Sequence, residues 1–308
     1  MAYLGIQTQI RRNNRNTILL LIAFPLLLLV MVYAFFWFTT TNKPDVQPLF
    51  LNALPFVLVG TAIWFIIAYF SNTYIVQAAT GARPLARKEN MRVYNLVENL
   101  CIAEGMKTPR IYVINDDSLN AYASGINEKS YAVTLSRGII DKLNDAELEG
   151  VIAHELTHIK NKDVRLLIVS IVFVGIFAFL AQVASRQLLY GGLFRKRDKN
   201  NGGVVLLVII VVTTIAYFIS LLLRFGISRR REYMADAGAA EMTRNPQALA
   251  SALRKISEDP YIEAVRNEDV AQLFIDHPLP KKENTFSISS LFATHPPIEK
   301  RIAVLEQY

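Results

Sequence analysis

Cysteine is nearly absent from this chain: Cys101 stands alone among 308 residues, which excludes an internal disulfide. It falls on the stripe Val93, Leu96, Val97, Leu100, Cys101, spaced as one helix face and ended by Gly105. That position suits a small core residue better than a reactive thiol. Histidine is scarce too, with four in the whole chain. Charge is missing altogether from four apolar runs, Thr17–Thr39, Leu49–Phe70, Leu166–Ser185 and Val204–Leu223. Each has about 20 residues or more, enough for a helix to cross a hydrocarbon core ~30 Å thick. Buried helices of soluble proteins are shorter and keep a polar stripe, and the first run is too long for a cleaved signal peptide. Without ionisable residues inside these runs, a transporter is a poor fit. The sequence also lacks internal repeats, low-complexity tracts and nucleic-acid-binding motifs. Its net charge of +7 therefore needs another explanation. The basic residues cluster beside the apolar runs, as in Arg11, Arg12 and Arg15, Arg83, Arg87 and Lys88, and Arg229–Arg231. Such flanks orient a membrane protein and meet anionic headgroups.

The apolar runs divide the chain into four stretches. Residues 1–70 hold an amino-terminal tail and a first transmembrane pair, 71–165 a first polar region, 166–223 a second membrane hairpin, and 224–308 a second polar region. Three arginines before the first run outweigh the single Lys43 after it, which places the amino terminus in the cytosol. Two crossings return 71–165 to that side. The link between the third and fourth runs carries Arg186, Arg195, Lys196, Arg197 and Lys199, so the second hairpin is either an ordinary one or one that does not fully cross. In either case the parity is even, and both polar regions share the cytosolic side. Within the first, the apolar face around Cys101 predicts a helix ending near Gly105. Segments 110–114, 119–125 and 131–137, separated by turn clusters, predict a small antiparallel sheet. Asn144 with Glu147 three residues on predicts a capped helix start.

That helix carries His154-Glu155-Leu156-Thr157-His158. At about 100° per residue the two imidazoles leave one face a turn apart and can share a metal, with Glu155 beside them to hold a water and take its proton. Leu148, Ile152, Leu156 and Ile159 fall on the opposite face, leaving the ligands on an open side. Catalytic zinc usually takes three protein ligands and keeps one position for water. The third is expected in Glu232, and Asp236, four residues on and on the same helix face, is expected to orient a ligand histidine. His295, before Pro296-Pro297, reads either as an oxyanion or resting-state contact or as a structural turn residue. His277 reads as a loop histidine. Asn120, Ala121, Tyr122 and Ala123 read either as an exposed edge strand onto which a substrate pairs or as an ordinary packed strand.

Taken together, HELTH at 154–158, Arg230-Arg231-Glu232-Tyr233-Met234-Ala235-Asp236, Asn120-Ala121-Tyr122-Ala123, and Phe292–Arg301 with its His295-Pro296-Pro297 resemble the signatures of HtpX-type membrane metallopeptidases. The likeness runs over nearly the whole chain, apart from the loop 258–287, which contains Asp276-His277-Pro278. It implies a gluzincin-like zinc endopeptidase of membrane-protein quality control, related to the prenyl-protein endopeptidases, with Glu232 as third ligand and Asp236 as its partner. The expected fold is α+β: a helix-rich zinc domain with a small antiparallel sheet, plus about four transmembrane or membrane-embedded helices. The expected cofactor is one Zn2+ per chain. Expected partners are protein or peptide substrates, membrane proteins above all, the lipid bilayer and a second copy of the chain, with no nucleic acid. The resemblance places the chain in the bacterial plasma membrane with its catalytic part in the cytosol. Two alternatives remain at this stage. An intramembrane protease would bury HExxH in an apolar helix, whereas Asp145, Glu147, Glu149, Lys160, Lys162 and Asp163 surround it here. A zinc-binding membrane scaffold would have no need of Glu155.

Overall fold

The computed structural model describes residues 6–169, 210–211, 214, 229–265, 268–271, 273–276, 278 and 296–308. The third and fourth apolar runs lie almost wholly outside these residues, so the expected second hairpin is not described. The chain divides into two compact units, one made of Asn16–Phe70 with Val169–Gly226, the other of Met1–Arg15, Ser71–Ile168 and Ile227–Tyr308.

The first of these contains most of two long helices, α1 (Ile6–Thr39) and α2 (Val46–Thr80). Ile10–Phe38 in α1, and Lys43–Ile67, which starts in the helical turn just ahead of α2, are long and apolar enough to cross a membrane. At 1.5 Å per residue, spans of this length reach well beyond ~30 Å. Little of their apolar surface is buried by the protein: Phe56 is 79% exposed and Phe70 80% exposed. Apolar area of that extent is stable where lipid covers it. Leu20, Phe24 and Met31 are the buried apolar positions of α1 among the described residues, and Tyr33 meets Phe50 edge-on at 5.4 Å.

The second unit is α+β. Helix α3 (Met91–Ala103) starts at Asn90, whose side chain accepts from the Val93 amide, and buries Val93, Val97, Leu100 and Cys101. Gly105 follows it in the left-handed region, at φ 64°. Burial pushes the Cys101 thiol up to about 11, in keeping with a core residue. Four strands, β1 (Arg83–Pro84) ahead of α3 and β2 (Arg110–Ile114), β3 (Ala121–Ser124) and β4 (Ala132–Ser136) after it, form a sheet in spatial order β1-β2-β4-β3. The sheet is mixed, which corrects the antiparallel expectation. β3 pairs antiparallel with β4 and β1 with β2, but β2 and β4 run parallel, Arg110 facing Ala132 and Ile114 facing Ser136. The hairpin β3–β4 folds so that β4, not β3, enters the sheet beside β2, and this order makes the β2–β4 pair parallel.

From β4 the chain passes through the short helix α4 (Arg137–Lys142) into α5 (Asp145–Lys160). Asn144 caps α5 with the expected reciprocal pair: its side chain accepts from the Glu147 amide, and Glu147 accepts from the Asn144 amide. Helices α6 (Arg229–Thr243), α7 (Pro246–Glu258) and α8 (Ile298–Leu305) complete the described unit. α6 and α7 pack on α5. The approach of α6 depends on Gly238, where a Cβ would lie 2.4 Å from Thr157 Cγ2. α7 is sharply two-sided and buries Leu249, Leu253 and Ile256.

Candidate metal centre

α5 carries His154, Glu155 and His158, and α6 lays Glu232 and Asp236 across them. The expectation of an open ligand side is corrected here. His154 is fully buried, Glu155 is 1% exposed and Glu232 5% exposed, because α6 covers the ligand face of α5. His154, His158 and Glu232 each offer a ligand atom, and these atoms lie within 4.8 Å of one another. The two Nε2 atoms are 3.2 Å apart, and Glu232 stands 3.6 Å from His154 Nε2 and 3.7 Å from His158 Nε2. Ligands about 2.0–2.1 Å from a tetrahedral zinc sit roughly 3.3 Å from one another, so the three groups fit such an ion.

Each imidazole is held from behind. His154 Nδ1 donates to Asp236 Oδ1 at 3.0 Å, and His158 Nδ1 donates to Asp163 Oδ2 at 3.1 Å. Those bonds select the tautomer that leaves both Nε2 lone pairs facing the same point, where only a cation or a proton relieves them. Burial would depress the His154 pKa, but hydrogen bonds with Asp236 and Glu232 outweigh it and raise the value to about 9. Glu155 sits beside this point with neither carboxylate oxygen bonded to any group. Burial pushes its pKa up, against the pull of the two histidines. A buried carboxylate without a partner is costly, and it is the arrangement expected of a proton acceptor that waits for a water.

Comparison with known proteins bears directly on this centre. The family model for peptidase family M48 matches residues 87–308. The chain belongs to that family. It is 62% identical to a protease HtpX homolog of Bacteroides fragilis, over 100% of both chains. To protease HtpX homologs of Dictyoglomus turgidum and Listeria monocytogenes it is 41% and 40% identical, covering 79% and 83% of this chain and 80% and 87% of theirs. It also resembles the crystal structure of S. mikatae Ste24p at 20% identity and a TM-score of 0.49, over 96% of this chain and 66% of that one, a likeness too low to bear on the assignment. This M48 chain is therefore a metalloprotease with two helices long and apolar enough to cross a membrane.

Several participants in the M48 site escape a reading of the sequence alone. Asp163, which pins His158, lies just past the end of α5 and reaches back through a turn in which Lys162 adopts φ 59°. Its other oxygen accepts from Asn13 Nδ2 at 2.5 Å, and the same amide donates to the Asn161 carbonyl at 2.8 Å. The start of α1 thus braces the loop behind His158. Arg301, 1% exposed, binds Asp236 with two hydrogen bonds, Nε to Oδ2 at 2.9 Å and Nη2 to Oδ1 at 2.7 Å. Burial would raise the Asp236 pKa, but Arg301 and His154 hold it below the usual carboxylate range. Arg301 stands in the segment that carried the family resemblance, yet no spacing rule ties it to Asp236.

Asn120, Ala121, Tyr122 and Ala123 are all buried, each at most 2% exposed. β3 is an edge strand, but its outer side is not open along its whole length. The Ile275 amide donates to the Ala121 carbonyl at 2.9 Å, Tyr122 bridges Phe274, and the Asn120 side chain donates to the carbonyls of Pro260 and Asp276. Ala123 alone of the four lines the cavity at the metal centre. His277 and His295 lie outside the described residues.

Proposed function

We propose that this chain is a zinc-dependent endopeptidase that cuts membrane or misfolded proteins at the cytosolic face of the bacterial plasma membrane. The observation that carries the reading is the pair of imidazoles and one carboxylate converging on a single point beside the unbonded Glu155. Two histidines and a glutamate are a donor set typical of catalytic zinc. When bound, zinc lowers the pKa of water and polarises a carbonyl. His154, His158 and Glu232 would hold the ion, and Asp236 and Asp163 would keep the rings aimed at it. Glu155, whose carboxylate oxygens have no other partner, accepts a proton from the attacking water and delivers a proton to the leaving nitrogen. The cytosolic placement rests on Arg11, Arg12 and Arg15 ahead of the first span and the single Lys43 after it. Quality control of membrane proteins is the role that the sequence's resemblance to HtpX-type metallopeptidases implies.

Glu155→Gln tests this reading. The variant is expected to keep its zinc and to cut casein about 10²–10⁴-fold more slowly, the usual contribution of a positioned proton acceptor. Full-rate cutting by the variant would overturn the role of Glu155. Zinc binding by the wild type with no Glu155-dependent cutting would instead favour the scaffold.

A further inference from the structure

Arg231 precedes the third ligand and lines the same cavity as Glu155, His158 and Glu232. It is 7% exposed. Its Nη1 makes one long hydrogen bond, 3.3 Å to the Asp163 carbonyl, and its Nε–H has no partner. Among the described residues no carboxylate lies within ion-pair distance of it. Arg301, the other buried arginine at this centre, satisfies its charge on Asp236 with two hydrogen bonds. Taking a guanidinium out of water without a counter-charge or a full set of acceptors is expensive, so a group from outside the chain is the natural complement. The cavity is small, about 20 Å³, room for a single acceptor atom, and Leu167 and Leu273 on its wall lower the local polarity, which strengthens any hydrogen bond formed there.

We propose that Arg231 is a substrate-binding residue whose Nε–H is held for a backbone carbonyl oxygen of the peptide, within two residues of the bond that is cut. An internal carbonyl fits better than a chain-terminal carboxylate. The substrate chain of an endopeptidase runs past the cut on both sides and offers a carbonyl at every residue, whereas a terminal carboxylate lies away from the bond that is cut. The role rests on the proposed peptidase reading and gives the centre a way to fix the register of the substrate chain.

The test uses the full-length zinc-loaded protein in detergent and a casein peptide whose cut is first mapped by mass spectrometry. In a set of otherwise identical peptides, each backbone carbonyl near the cut has its oxygen replaced in turn by sulfur, a poor acceptor. At one position the replacement is expected to raise the wild-type KM about 10-fold or more, the scale of a hydrogen bond to a charged group, with a smaller change in kcat. In Arg231→Met the same replacement adds nothing, and Arg231→Lys falls between. In a Glu155→Gln background the peptide binds without being cut, and fluorescence anisotropy should show the same pattern in Kd. A replacement that costs the wild type nothing at every position overturns the proposal without any variant. An equal cost in wild type and Arg231→Met also overturns it. A KM that responds to amidation of the peptide's carboxyl end, and to no internal sulfur, makes Arg231 a reader of chain ends and overturns the internal-carbonyl assignment. A wild type that holds zinc and cuts no peptide sinks the proposed function, and this role with it.

Discussion

His154 and His158 each give one ring nitrogen to a carboxylate, and that bond leaves the other nitrogen free for a metal. The two carboxylates are not equivalent. Asp236 is clamped by a buried arginine, whereas Asp163 is held by the neutral amide of Asn13. Asp163→Asn keeps an acceptor but removes the charge that makes His158 a strong ligand. Zinc affinity in a chelator competition is expected to fall about 10–100-fold, the usual cost of losing such a partner. Unchanged affinity would refute the role given to Asp163. Arg301→Met leaves Asp236 buried without its counter-ion, and the folded state should lose about 3–5 kcal/mol in denaturant unfolding. His154 with His158, and Glu232 with Asp236, could be read as pairs because helical spacing brings each to one face, and the membrane parity and family resemblance tied the two pairs together. Asp163 was not legible, since the turn that returns it to His158 breaks the helical register. Arg301 and Asn13 act across long sequence separations, where spacing carries no information.

At the scale of elements, the metal centre depends on how closely α6 rides on α5. Gly238→Ala puts a methyl group against Thr157, whose β-branched side chain has little freedom to yield. Overpacking of this kind costs about 1–3 kcal/mol, and here it also moves Glu232 relative to the histidines. Both folded-state stability and zinc retention should therefore fall in Gly238→Ala, while an exposed change such as Gln247→Ala leaves them alone. The start of α5 gives a pH prediction. Burial would raise the Glu147 pKa, but hydrogen bonds from Lys255, Ser251 and the Asn144 amide hold it below its ordinary value. A depressed value means stability that is present above the ordinary carboxylate range and lost as pH falls through the folded value. The cost of Glu147→Gln, about 1 kcal/mol at pH 7, should shrink as pH drops below about 4. A cost that stays constant from pH 7 to pH 3 would contradict the account. Capping residues and the α3 stripe were legible because both are local. The direction of β2 against β4 was not, because alternation of apolar residues says which face a strand buries but not which neighbour it takes.

For the whole molecule, the two apolar runs ahead of the zinc helix were legible from length and lack of charge alone. The orientation proposed for them is open to a direct check, helped by the scarcity of cysteine. Cys101 is buried, so a newly placed surface cysteine is the one that a water-soluble maleimide reaches. Asn42→Cys, between the spans, should be labelled in intact cells, and Lys107→Cys only after the membrane is opened. The reverse pattern would place the zinc helix outside the cytosol. The central claim is a single metal held jointly by α5 and α6, and metal analysis of the purified chain tests it most directly. Wild type should retain about one zinc per chain through dialysis, and Glu232→Ala should lose it while its circular dichroism stays unchanged. A Glu232→Ala chain that keeps its zinc with undiminished affinity in the intact fold would contradict the account.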